Sequence, residues 1–139
     1  MAMMIEVKNL TKRYGDFVAV EDVSFEVDKG EVVGFLGPNA AGKTTTMRIL
    51  TGYLSPTEGS VAIDGHDVVE NSLEARRLIG YLPETVPLYL DMTVEAYLDF
   101  MGKIRGMNAS YRADRINYVI DRMRLHEYRN TFISKLSKG

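Results

Sequence analysis

Gly37-Pro38-Asn39-Ala40-Ala41-Gly42-Lys43-Thr44-Thr45 follows the pattern G-x-x-x-x-G-K-[ST] of a phosphate-binding loop. It is preceded by an apolar run, Val32-Val33-Gly34-Phe35-Leu36, which reads as a buried strand, and followed by Lys43 to Leu50, which reads as a helix. A strand, a loop and a helix in this order separate a working phosphate loop from a chance match. The chemistry accounts for the spacing. Gly37 and Gly42 allow a tight turn with no side chain between backbone and anion. Successive N–H groups then cradle the phosphates, and the new helix adds its free amides and the positive end of its dipole. Lys43 supplies a point charge for the β- and γ-phosphates, and the Thr44 hydroxyl is a Mg²⁺ ligand. Ala40 and Ala41 are small enough to preserve close approach. These residues imply a site for a nucleoside triphosphate.

Composition sets the remaining bounds. The 139 residues amount to one domain's length, with 45% hydrophobic and 26% charged residues, an ordinary globular balance. A formal net charge of −2 carries no basic footprint of the kind a nucleic-acid partner leaves, so none is expected. There is no cysteine, hence no disulfide framework or thiolate metal site. No stretch approaches the length of a membrane-spanning helix, and Met1 to Leu10 has no secretory apolar core.

Outward from the loop, Ile5 to Tyr14 alternates and reads as a strand, and Phe17 to Val20 and Val23 to Val27 read as two more. Thr51-Gly52 closes the helix after the loop. Ser55 to Gly59 is a loop, Val61 and Ile63 form a short strand, and Asp64-Gly65 is a turn. Leu73 to Arg77 is a short helix, and Ile79 to Leu82 a strand ending at Pro83. The period then changes. Val94, Tyr97, Leu98, Met101 and Ile104 sit at helical spacing, with Thr93 as N-cap and Gly106 as terminator. Ile116, Val119, Ile120 and Met123 mark a second amphipathic helix, capped by Ser110. The methionines of this half fit either a core between helices or a partner-binding face. His66 and His126 read as surface residues. A strand-rich front and a helix-rich back suggest two subdomains joined between Leu82 and Thr93.

Several further segments fall in an order that resembles the nucleotide-binding subunits of ABC transporters, from Ile5 to Gly139. Tyr14, in Leu10-Thr11-Lys12-Arg13-Tyr14-Gly15, matches the family's adenine-stacking aromatic. Gly52, Pro56-Thr57, Gly59 and Asp64-Gly65 match the stretch after the phosphate loop. Ile79-Gly80-Tyr81-Leu82-Pro83-Glu84 is similar to the segment entering the Q-loop, and Leu136-Ser137-Lys138-Gly139 to the opening of the signature motif. Within the family, the bacterial ABC-2 type export ATPases, including gliding-motility-like members, are the nearest likeness. The resemblance implies an α/β P-loop NTPase fold of ABC type, incomplete at the C-terminus. It implies an antiparallel β subdomain with the P-loop core over about residues 1–84 and a helical subdomain over about 85–139.

The resemblance also implies function. ATP would lie on Tyr14 and on Gly37, Pro38, Asn39, Ala40, Ala41, Gly42, Lys43, Thr44 and Thr45, with Mg²⁺ on Thr44 and Glu84. Ser137 and Gly139 would face the γ-phosphate of a second subunit, in a homodimer or heterodimer. A separate transmembrane permease would be the partner, holding the chain on the cytoplasmic face of the membrane. Two departures stand out. Glu84 occupies the position of the family's Q-loop glutamine. The Walker B aspartate, the adjacent catalytic glutamate and the switch histidine lie beyond Gly139, so the expectation is a truncated product or partial gene that binds nucleotide but turns it over poorly. A non-transport ABC ATPase, a non-catalytic nucleotide-binding remnant, and a P-loop kinase or GTPase are the alternatives.

Overall fold

The structure is a computed structural model and describes residues 3–137. The chain divides into two compact units, Met1–Leu82 and Pro83–Gly139.

In the first unit, β1 (Met3–Tyr14) and β2 (Phe17–Asp28) form a long antiparallel hairpin, with Val7 opposite Phe25 and Tyr14 opposite Phe17. β3 (Glu58–Ile63) pairs with the other edge of β1, Val7 opposite Val61, and β4 (His66–Asp67) completes the order β2-β1-β3-β4. All pairings are antiparallel, as expected for the β subdomain. α1 (Lys43–Leu50) and α2 (Ser72–Arg77) belong to the same unit. Alternation along β1 and β3 turns Val7, Val61 and Ile63 to one face, where they meet Leu10, Val20, Val68, Ala75 and the α1 residues Ile49 and Leu50. Burying a side chain such as Ile49, which has no exposed surface, stabilises the fold by about 1.5–3 kcal/mol.

Three expectations are corrected here. The two strands read from 17–20 and 23–27 are one, β2, because the polar break at Glu21-Asp22 is an irregularity within the ladder. Asp22 has a left-handed φ of 46°. Its amide donates to the Thr11 hydroxyl at 3.0 Å and its carboxylate accepts from Asn9 Nδ2 at 2.8 Å. The apolar run 32–36 is not a strand and is not buried: Val32 is 98% and Leu36 93% exposed. Among the described residues no strand hydrogen-bonds to it, and the Phe35 ring lies 5.6 Å from that of Phe25 between centroids. Ile79 to Leu82 is likewise paired with no strand among the described residues. His66, in β4, is partly exposed.

The second unit is helical. α3 (Val94–Ile104) begins as expected at Thr93, whose hydroxyl accepts from Ala96 N at 3.2 Å. α4 (Ala109–Arg122) begins earlier than expected. Its cap is Asn108, with Oδ1 accepting from Tyr111 N at 2.9 Å, so Ser110 lies inside the first turn. Val94, Gly102, Ile116, Ile120 and Ile133 form the buried interior. The Arg112 stem lies so close to Gly102 that an added Cβ there would sit 2.6 Å from Arg112 Cδ. The Arg112 guanidinium donates to Asp99 Oδ1 at 2.5 Å and to the Met107 carbonyl at 2.8 Å, joining the two helices.

Candidate functional site

The loop 37–42 is shaped by local contacts. Ala41 N donates to Pro38 O at 3.2 Å, Ala40 has φ 66° and Gly42 has φ 82°. Only glycine fits position 42. A Cβ there would lie 2.4 Å from the Ala19 carbonyl oxygen and 2.9 Å from Val20 Cγ2. Gly37 is less constrained, its nearest neighbour being Ala41 Cβ at 3.4 Å.

Gly42 is also the N-cap of α1, where no side chain caps the helix and no acidic residue occupies the first turn. The first intrahelical donor is Thr46 N, bonded to Gly42 O at 2.8 Å. The amides of Lys43, Thr44 and Thr45 precede it and have no intrahelical acceptor, which makes this end an acceptor of anions. Lys43 Nζ donates to Gly37 O and, at 2.7 Å, to Pro38 O, which keeps the ammonium over the loop. Together these groups border a cavity of about 210 Å³ lined by Phe17, Ala19 and residues 39–45. No carboxylate is among those lining residues.

The structure brings together Asn39, Ala40, Ala41, Gly42, Lys43, Thr44 and Thr45, while Gly37 and Pro38 contribute the carbonyls that hold Lys43. Tyr14 is not part of this lining. It ends β1, is 47% exposed and carries Lys12 Nζ at 5.2 Å from its ring centroid. The aromatic on the cavity wall is its cross-strand partner Phe17, 63% exposed, which sequence reasoning did not single out. The signal available for it was an apolar ring beside a hairpin turn. Glu84 lies in the second unit and is exposed. Ser137 is exposed at the end of the described residues, and Gly139 lies outside them. Among the described residues no three His, Asp or Glu side chains cluster as metal ligands, and no helix is long and apolar enough to cross a membrane.

The second unit holds a larger cavity of about 540 Å³, bordered by Glu95, Asp99, Arg112, Asn117 and Arg129. Its charges are paired. Arg129 donates to Glu95 at 2.5 Å and to Asn117 Oδ1 at 3.0 Å, and Lys103 joins Asp99 at 2.6 Å. The Arg129 hydrogen bond holds the Glu95 carboxyl below its ordinary value, and those from Lys103 and then Arg112 do the same for Asp99. Both carboxyls bind protons less readily folded than unfolded. Their contribution to stability is therefore present above the usual carboxylate range and lost as pH falls below about 4. We expect the helical signal in far-ultraviolet circular dichroism to decline on that acid limb. Glu95→Gln with Asp99→Asn should flatten the decline, and an unchanged limb in the double variant would refute the assignment.

Comparison with known proteins extends this geometry. The sequence profile of the family described as ABC transporter matches residues 20–139. An ABC transporter ATP-binding protein of Methanocaldococcus jannaschii is 40% identical over 139 residues, all of this chain and 48% of its own length. One from Bacillus subtilis is 40% identical over 136 residues, 98% of this chain and 44% of its own. A solved structure of an ATP-binding subunit of an ABC transporter superposes with a TM-score of 0.83 at 32% identity, covering 97% of this chain and 56% of that one. The chain thus spans about half the length of the curated relatives it matches. With an uncapped helix end behind a glycine-lysine loop, an antiparallel sheet beside it and a profile match over most of its length, the chain belongs to the ABC transporter family, as part of an ATP-binding subunit.

Proposed function

We propose that the chain binds MgATP at the loop 37–45 and, in the complete protein, energises export through a separate transmembrane permease. The observation that carries this reading is the α1 N-terminus, whose free amides and Lys43 ammonium border a cavity walled by small residues. Gly42 admits the triphosphate backbone-close, and Lys43 neutralises β- and γ-phosphate charge. The Thr44 hydroxyl, exposed at the cavity, would hold Mg²⁺, which would supply further charge neutralisation on the phosphates. Phe17 and Tyr14, paired across the hairpin, offer two ring faces for adenine, a stacking contribution of about 1–3 kcal/mol. Turnover by this chain is slow in our reading, because the lining carries no carboxylate to orient water or complete the metal shell. Two such chains, alike or different, would close over nucleotide with Ser137 and Gly139 of one facing the phosphate of the other. The permease would then hold the pair at the inner face of the membrane.

Thermal unfolding tests the reading. MgATP at a hundredfold over its dissociation constant should stabilise the chain by about 2.7 kcal/mol, and Lys43→Ala should remove most of that shift while leaving the ligand-free midpoint within about 0.5 kcal/mol. An equal shift in wild type and variant would reject it.

A further inference from the structure

Residues 129–136 lead into the signature-like segment, and they are strapped to the start of α3 by a run of backbone hydrogen bonds. Glu95 N donates to Arg129 O at 3.0 Å, Val94 N to Thr131 O at 3.1 Å, Ile133 N to Met92 O at 2.9 Å and Ser134 N to Leu90 O at 3.1 Å. Thr93 and Phe132 form an antiparallel bridge in the middle. At the far end of this connector from Ser137, one side chain spans three elements. Arg129 donates through one terminal nitrogen to Glu95 on α3 and through the other to Asn117 on α4. Ile133, buried, anchors the connector between these points. The connector is thus held by backbone along its length and by a single guanidinium at its root. Ser137 follows three residues after the last strapped amide, a reach of about 11 Å at most.

We infer that Arg129 is a positioning residue: with Glu95 it fixes the connector on the start of α3, and so sets where Ser137 meets the nucleotide held by a second copy of the chain. This inference rests on the nucleotide reading proposed above. Because the Glu95 and Arg129 side chains are each more than a third exposed, the pair acts locally and does not hold the unit's core together.

Amide hydrogen exchange followed by mass spectrometry tests this on the full chain, alongside MgATP titration and sedimentation with and without MgATP. In Glu95→Gln and Arg129→Ala, the Ile133 and Ser134 amides should exchange about fivefold faster, the size expected for an ion pair of this exposure, while α1 protection stays unchanged. MgATP affinity should match wild type, and MgATP-driven self-association should weaken by about the same factor. Arg129→Lys and the reciprocal pair E95R/R129E should recover both. Unchanged exchange at Ile133 and Ser134 overturns the inference. So does acceleration spread evenly over α3 and α4 without rescue, or faster exchange with unaltered self-association. A wild type that binds MgATP but does not associate overturns the positioning role alone. One that binds no MgATP overturns the nucleotide reading, and exchange at Ile133 and Ser134 still decides whether Arg129 holds the connector.

Discussion

Gly59→Ala is expected to lower stability by at least about 3 kcal/mol, the sum of a left-handed backbone penalty and overpacking that no side-chain rotation relieves. Gly59 has φ 82°, and a Cβ there would sit 2.3 Å from the Asn9 carbonyl oxygen and 2.4 Å from that of Lys8. Both obstacles are backbone atoms of β1, at the irregularity between Lys8 and Thr11 where Asn9 itself turns to φ 48°. β3 crosses β1 at that point with no room for a side chain. Urea denaturation provides the measurement. Gly80→Ala serves as control, since an added Cβ meets nothing within 4 Å and the backbone has no positive φ. The control should stay within about 0.5 kcal/mol of wild type. Equal midpoints for the two variants would show that the β1–β3 crossing yields more easily than its geometry states.

Gly42→Ala should abolish the MgATP-induced shift and also destabilise the ligand-free chain, by an amount on the order of 2–4 kcal/mol. The cause is again main-chain. The new Cβ would meet the Ala19 carbonyl oxygen at 2.4 Å and Val20 Cγ2 at 2.9 Å, and φ 82° disfavours any L side chain. Relief requires the loop to leave β2, which displaces the three free amides of α1 from the cavity. Gly37→Ala carries the same chemical change in the same loop but meets nothing nearer than Ala41 Cβ at 3.4 Å. It should lose less than about 1 kcal/mol of stability. A Gly42→Ala variant that keeps the full MgATP shift would separate the anion site from the backbone conformation described for it.

The elements legible in the sequence were those whose determinants are close together along the chain. α1 ran over Lys43–Leu50 and α3 over Val94–Ile104, as read, because helical period and the Thr93 cap act within one turn. The tight turn from Gly37 to Gly42 was legible for the same reason. What failed was pairing. Val32 to Leu36 has the continuous apolar character of a strand covered on both faces, yet that character states a need for neighbours and does not supply them. Tyr81 and Leu82, both exposed, repeat the lesson. The interruption at Glu21-Asp22 was read as a boundary because a bulge held by Thr11 and Asn9 depends on a strand ten residues away. Asn108 and Ser110 are both good caps, and the bond from Tyr111 N to Asn108 Oδ1 marks the one used. The Phe17 wall was the least legible part of the cavity. Phe17 and the loop are separated by some twenty residues, and their proximity follows from β2 passing behind Gly42.

The grip of two carbonyl oxygens on the Lys43 ammonium bears on how quickly an anion is captured. A lysine loses up to about 2 kcal/mol of rotamer freedom when it is immobilised. Here that loss is incurred when the chain folds, so in the proposed nucleotide complex a phosphate would meet a charge already in place and need not wait for a search among side-chain conformers. Preorganisation of this kind lowers the entropic penalty of association, leaving more of the electrostatic attraction to appear as affinity.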